Sequence, residues 1–332
     1  MTILVTGGSG LVGSHVIEAL RARRYTVRAL TRAPSAAAVR ELGAEAITGD
    51  VTDPEVWRRA AAGGLEAIVH SAAIVQRPNT PLADYESVNV GGTRCAVETA
   101  CAARARLVHV SSVAVYGGSS NYTPEPERRT EDHPFRPLAE SDFYARSKRA
   151  SEDLVRAAAE RGDVVATVVR PNVVYGERDR LFLPRLVRAV RARIVPQIGP
   201  GTNHLACVYA GNVAAAIVAA LDGASPPAQR FRAYNITADA PPPLTARQFL
   251  ETTAAACGVR LRFLPLPIAV ARVAIGLWSG PALARAALSF VTGENPYPIE
   301  RARAELGWTP PLATRDALPR AIRWLLANEK PG

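Results

Sequence analysis

Lysine is nearly absent from this 332-residue chain. Only Lys148 and Lys330 occur although Lys and Arg together number 40, so positive charge is written as arginine and a mid-chain lysine stands out. Cysteine is sparse as well. Cys95, Cys101, Cys207 and Cys257 form no CxxC pair and have no histidine at metal-ligand spacing, which excludes a disulfide framework or zinc motif and fits reduced thiols in a cytoplasmic setting. The five histidines are scattered and none is assigned to a metal. Blocks of five or six like charges and basic-aromatic interleaving are missing, so the net charge of +10 reads as an arginine-rich surface rather than a nucleic-acid interface. No basic n-region opens the chain, and no secretory signal is expected. A membrane-spanning run is missing too. In the apolar stretch 263–291, Arg272 and Arg285 leave only 12 residues between them, with Pro281 inside, against about 20 for a spanning helix. This stretch is expected to form helices over an apolar substrate cavity, with peripheral membrane contact as the other reading.

What is present begins with Thr2-Ile3-Leu4-Val5, which predicts a strand, and Val12, Val16, Ile17 and Leu20, which recur at helical spacing. Between them lies Gly7-Gly8-Ser9-Gly10-Leu11-Val12-Gly13. Glycines so spaced permit a tight turn, close approach of backbone to a pyrophosphate, and close helix-strand packing, while the helix N-terminus offers N–H groups to the phosphates. A second strand over 26–32 completes the βαβ unit and ends in Thr31-Arg32, without a carboxylate. An acidic residue there accepts from a ribose 2′-hydroxyl, whereas an arginine pairs with a 2′-phosphate, so NADP(H) is expected in preference to NAD(H), with Arg32 as its contact.

Further strands are predicted over 44–51, 67–73, 107–112 and 164–169, alternating with helices that start at Asp53-Pro54, at Asn89 and near Tyr144. Such alternation predicts the α/β class: a Rossmann doubly wound parallel sheet with a smaller C-terminal α/β substrate domain. The expected division is 1–175, with contributions from about 205–236, and 176–332. In the second part the pattern is less regular: strands at 205–209 and 234–236, helices at 212–221 and 245–257, and a helix, turn and amphipathic helix over 299–326.

Three residues assemble into a proton-transfer device. The polar stretch 117–143 reads as a long loop leading to Tyr144-Ala145-Arg146-Ser147-Lys148, whose first and last residues share one helix face. A phenol titrates near 10, too high for a base at neutral pH, and an ammonium one turn away favours the phenolate. Ser112, at the end of the fifth strand, is placed to hydrogen-bond a substrate oxygen.

Thr6-Gly7-Gly8-Ser9-Gly10-Leu11-Val12-Gly13 together with Ser112, Tyr144 and Lys148 resembles the extended short-chain dehydrogenase/reductases, the NAD(P)-dependent epimerase/dehydratase superfamily. Similar stretches run almost end to end: His70-Ser71-Ala72-Ala73, Asn89-Val90-Gly91-Gly92-Thr93, Val115-Tyr116-Gly117, Arg170-Pro171-Asn172-Val173-Val174-Tyr175-Gly176 and Leu306-Gly307-Trp308. The resemblance implies that Gly7, Gly10, Leu11, Val12, Gly13, Ala72 and Ala73 border the cofactor. It also implies that Asp50 and Val51 lie by the adenine, that Pro171 and Val174 lie by the nicotinamide, and that Ser112, Tyr144 and Lys148 perform hydride-coupled proton transfer. A homodimer through the helices flanking Asn89 and Tyr144 is a further implication.

Branches within the family differ at residues that can be compared. The nucleotide-sugar dehydratases carry an Asp-Glu pair after the catalytic hydroxyl residue, where this chain has Val113-Ala114. Sugar epimerases usually place a diphosphate-binding arginine where this chain reads Thr202-Asn203-His204-Leu205. Cys207-Val208-Tyr209-Ala210-Gly211-Asn212-Val213-Ala214 resembles the 3β-hydroxysteroid dehydrogenase branch, and Val27-Arg28-Ala29-Leu30-Thr31-Arg32-Ala33-Pro34 the dihydroflavonol reductases. The resulting expectation is an NADP(H)-dependent ketoreductase or alcohol dehydrogenase for a bulky, largely apolar small molecule. The alternatives are a nucleotide-sugar 4-epimerase with tightly bound NAD and a redox-silent NADP(H)-binding scaffold.

Overall fold

Ile3 and Val5 face one side of their strand and Leu4 the other, and all three are fully buried. A strand covered on both faces is mostly apolar, which is why the centre of β1 (Thr2–Thr6) reads as a continuous run. β4 (Ala67–His70), β5 (Arg106–Val110) and β6 (Ala166–Pro171) are likewise buried along nearly all their length, with His70, His109, Thr167 and Arg170 as buried polar exceptions. With β2 (Thr26–Thr31), β3 (Glu45–Thr48) and β10 (Phe231–Ile236) they make one seven-stranded, fully parallel sheet ordered β3-β2-β1-β4-β5-β6-β10. This is a Rossmann-like doubly wound sheet. The computed structural model describes residues 1–75, 79–117, 123, 125–223, 230–279 and 288–329.

Helices Leu11–Ala22 and Ala210–Asp222 cover the Ile3 and Val5 face, while Pro54–Ala61, Gly92–Ala103 and Phe143–Glu160 cover the Leu4 face. Two small parallel sheets stand beside the main one. One pairs β7 (Val173–Tyr175) with β9 (Cys207–Tyr209), and the other pairs β8 (Ile194–Ile198) with β11 (Arg262–Leu266). Around them pack the helices Phe182–Arg191, Ala246–Ala256 and Thr314–Asn328.

Several expectations shift at their edges. The third strand stops at Thr48, so Asp50 and Val51 lie beyond it, and the fourth stops at His70. The helix expected to begin at Asn89 begins at Leu82, and Asn89 sits inside a wide turn over Glu86–Gly91. The described part of 117–142 holds only irregular backbone.

The expected apolar cover over 263–291 is a larger correction. Its described part forms β11, the helix Ile268–Ser279, which tucks Ala271 inward and leaves Val273 63% and Leu277 82% exposed, and a helical stretch over 288–291 that buries Leu288. Apolar apart from Arg272 and Ser279, the helix Ile268–Ser279 carries no periodicity that could have told its inner side from its outer one. Pro281 and Arg285 lie outside the described residues.

Candidate active site

The chain leaves β1 through a turn that has no room for side chains. Gly7 has φ +68°, and a Cβ on it would sit 2.8 Å from the Ala72 nitrogen; one on Gly13 would sit 2.2 Å from the Gly7 carbonyl oxygen. Gly10 N-caps the following helix with no side-chain cap, and no acidic residue stands in the first turn. The N–H groups of Leu11, Val12 and Gly13 therefore have no intrahelical acceptor and offer an anion site. That donor set and the bare backbone fit a dinucleotide pyrophosphate.

The cradle is tied to the end of β4. Thr6 Oγ1 bonds His70 Nδ1 at 2.8 Å and accepts the Ala72 N–H at 3.1 Å, while Ser71 Oγ donates to the Thr6 carbonyl at 2.6 Å. These bonds set Ala72 and Ala73 beside Gly7, at the point where strand order reverses between β1 and β4. In open α/β sheets that crevice is the ligand site.

Arg32, just after β2, is exposed and makes no ion pair among the described residues. On the adjacent strand end, Asp50 Oδ1 accepts the Thr52 N–H at 2.9 Å and the Thr52 hydroxyl at 2.8 Å. Val51 lies against Gly92, and its carbonyl accepts the Trp57 indole N–H at 2.8 Å. Across the sheet, Pro171 closes β6 opposite Ile236 and Val174 sits half-buried in β7.

Ser112 follows β5, N-caps the short turn Val113–Tyr116 and accepts the Ala114 N–H at 3.2 Å. Tyr144 is in the first turn of the helix Phe143–Glu160, which Asp142 caps through the Ala145 N–H at 3.1 Å. The structure brings these two together, with the Ser112 hydroxyl close enough to the Tyr144 phenol to favour its ionised form. Burial pushes the phenol above its ordinary range, and the Ser112 hydroxyl opposes that rise.

Lys148 is buried one turn further on, and its Nζ donates to the Val110 carbonyl at 2.7 Å. Burial lowers its pKa to about 8, with Glu152 acting in the opposite direction. Among the described residues no hydrogen bond joins Lys148 to Tyr144. The ammonium is turned to the end of β5, so the direct charge effect expected from the helical spacing is not the dominant influence on the phenol.

Three supporting arrangements escaped the sequence reading. Asn89 holds the loop after β4 at both ends of its amide, accepting the Ile74 N–H at 2.7 Å and donating to the Ile74 carbonyl at 3.0 Å, and also donates to Ser147 Oγ at 2.9 Å. Glu152, four residues beyond Lys148 on the same helix face, takes Arg170 and Ser111. Glu177 gathers His15 Nε2 at 3.0 Å, the Tyr209 hydroxyl at 2.8 Å and the Arg320 guanidinium. Despite its burial Glu177 is held down to about 2, by His15 foremost, then by a backbone N–H of its own and the Tyr209 hydroxyl. Only the i, i+4 spacing of Glu152 left a sequence signal.

Residues 3–237 match the NAD dependent epimerase/dehydratase family. A Stigmatella aurantiaca protein named 4-hydroxy-2-methyl-3-oxo-4-farnesyl-3,4-dihydroquinoline-1-oxide ketoreductase is 32% identical over 323 residues, spanning 93% of this chain and 92% of its own. The 3 beta-hydroxysteroid dehydrogenase/Delta 5-->4-isomerase of Mycobacterium tuberculosis is 27% identical over 347 residues, spanning 98% of this chain and 90% of its own. The NAD complex of UDP-glucuronic acid 4-epimerase from Bacillus cereus has the same fold, with a TM-score of 0.74 at 20% identity over 99% of this chain and 100% of its own.

Proposed function

The chain belongs to the NAD dependent epimerase/dehydratase family and is an NAD(P)-dependent enzyme, and from that premise we propose that it is an NADP(H)-dependent ketoreductase or alcohol dehydrogenase for a bulky, largely apolar ketone or secondary alcohol. The observation that carries this reading is the approach of the Ser112 hydroxyl to the Tyr144 phenol, with the Lys148 amine buried one helical turn away. Relatives named as a ketoreductase and a hydroxysteroid dehydrogenase support the redox reaction.

The residues assigned to the cofactor are the backbone of Gly7, Gly10, Leu11, Val12 and Gly13 at the pyrophosphate, Arg32 at a 2′-phosphate, and Asp50 and Val51 at the adenine. Ala72, Ala73, Pro171 and Val174 border its remaining length. The chemistry supplied by the bound cofactor is hydride transfer at its nicotinamide ring. Tyr144 exchanges a proton with the substrate oxygen, which Ser112 steadies by a second hydrogen bond. Lys148 spends one N–H on Val110 and keeps two for ribose hydroxyls.

The epimerase alternative meets an unfavourable charge. Glu294 accepts the His204 N–H at 3.2 Å from each carboxylate oxygen, so an acid lies beside the segment where epimerases carry a diphosphate-binding arginine. A panel of ketones and secondary alcohols, followed with NADPH and NADP⁺ by nicotinamide absorbance, tests the proposal. Net cofactor turnover is expected. Purified protein that holds oxidised NAD and interconverts nucleotide sugars without net redox change would overturn it.

A further inference from the structure

β8 and β11 pair with Ile194 beside Arg262 and Pro196 beside Leu264. Directly paired residues share a face of the sheet, and all four are exposed, Ile194 at 51% and Leu264 at 57%. Just past β11 the helix Ile268–Ser279 begins, its Ile268 side chain lying against Gly199 at the end of β8. Val270, Val273 and Leu277 follow at helical spacing, and all are more than half exposed. The result is an aliphatic surface of two strands and a helix that nothing in the chain's described residues covers.

Its charge is equally one-sided. No Asp or Glu occurs between Asp179 and Asp222, nor between Glu251 and Glu294, and β8 and β11 bring these two acid-free segments together. Arg193, Arg260, Arg262 and Arg272 are exposed here and form no ion pair among the described residues. We propose that this face docks on an anionic lipid bilayer.

A 12-residue helix is about 18 Å long, too short to cross a hydrocarbon core of about 30 Å. Exposed aliphatic side chains beside unpaired arginines suit the interfacial plane, where the former enter the acyl boundary and the latter meet anionic headgroups. A second copy of the chain fits less well, because a two-fold contact sets the same arginines against each other. If the reaction proposed above holds, docking places the enzyme where an apolar ketone partitions.

The test is flotation of the full-length protein with phosphatidylcholine vesicles, with and without phosphatidylglycerol. Binding to the anionic vesicles is expected, weakening as salt rises and at least about tenfold weaker without phosphatidylglycerol, given roughly fivefold per arginine. Val273→Glu with Leu277→Glu is expected to lower binding at least about tenfold, and Arg262→Glu with Arg272→Glu to remove the anionic preference. Unfolding temperature and NADPH binding report on folding, and Val273→Ser with Leu277→Ser replaces the first pair if it does not fold. Wild type that does not float, or variants that float like wild type, would overturn the proposal. So would variants that convert a dimer to a monomer in light scattering with flotation unchanged. No step needs a substrate, so this result and a failure of the redox reading are separately visible.

Discussion

Arg170 and Glu152 are both fully buried and face each other, with Arg170 Nε donating to Glu152 Oε2 at 3.1 Å and Nη2 donating to Oε1. The same carboxylate takes the Ser111 hydroxyl at 2.9 Å, and Arg170 Nη1 donates to the Tyr116 hydroxyl at 2.8 Å. The pair thus fastens the helix carrying Tyr144 to the ends of β5 and β6. Glu152→Gln leaves a buried guanidinium without its counter-charge and is expected to destabilise by about 3–5 kcal/mol. Urea unfolding measures it; a loss below about 1 kcal/mol, the level of an exposed pair, would contradict the prediction.

His70 and His109 stack on adjacent strands with ring centroids 5.6 Å apart, and both His109 nitrogens and His70 Nε2 lack hydrogen-bond partners among the described residues. Burial lowers His70 to about 3 and His109 well below its ordinary value, the Lys148 charge adding to both. An unfolded histidine binds its proton near 6.5, so below that pH the unfolded chain holds more protons and stability falls until about pH 3. Each histidine contributes a slope of about 1.4 kcal/mol per pH unit. His109→Leu is expected to remove one such slope and to add about 1–3 kcal/mol at neutral pH by eliminating an unpaired polar group. Denaturant titrations at pH 7 and 5 with equal slopes for both proteins would sink it.

If Tyr144 moves the proton, Tyr144→Phe lowers kcat at least about 100-fold while NADPH still binds. Fluorescence titration of the cofactor beside steady-state turnover separates the two effects. Undiminished kcat removes Tyr144 from the mechanism.

Lys148, depressed by burial to about 8, loses its proton as pH rises through that value. NADPH affinity is expected to weaken above about pH 8 in wild type, and Lys148→Met to flatten that dependence. The same depression means that stability rises between about 8 and the unfolded value near 10.5, where only the unfolded chain still binds the proton.

Arg32→Glu reverses a charge at the end of β2. A charge-assisted contact of about 1.5–3 kcal/mol predicts a KM for NADPH raised on the order of tenfold to a hundredfold, with little change for NADH. Equal effects on both cofactors would show that Arg32 does not meet a 2′-phosphate.

The legible parts of the sequence are those where one physical demand dominates. Strands buried on both faces are mostly apolar, and Gly7 and Gly13 have no space for a Cβ, so β1, β4, β5, β6 and the turn could be located from residue type. β8 and β11 stayed hidden because each exposes one face and begins beside an arginine. Asn89 looked like a helix start because its task, holding Ile74 and Ser147, depends on residues distant in sequence. The contact of Tyr144 with Ser112 could be anticipated, but the turning of Lys148 toward Val110 could not, since a strand-end carbonyl carries no residue signature.

Glu177 collects donors from His15, Tyr209 and Arg320, which are far apart in sequence, and one of the two edge strands of the main sheet comes from residues 231–236. During synthesis, therefore, the helix that carries His15 cannot complete its contacts until residue 320 has been made. This predicts that truncation before Arg320 weakens cofactor binding as well as removing whatever the later residues themselves contribute.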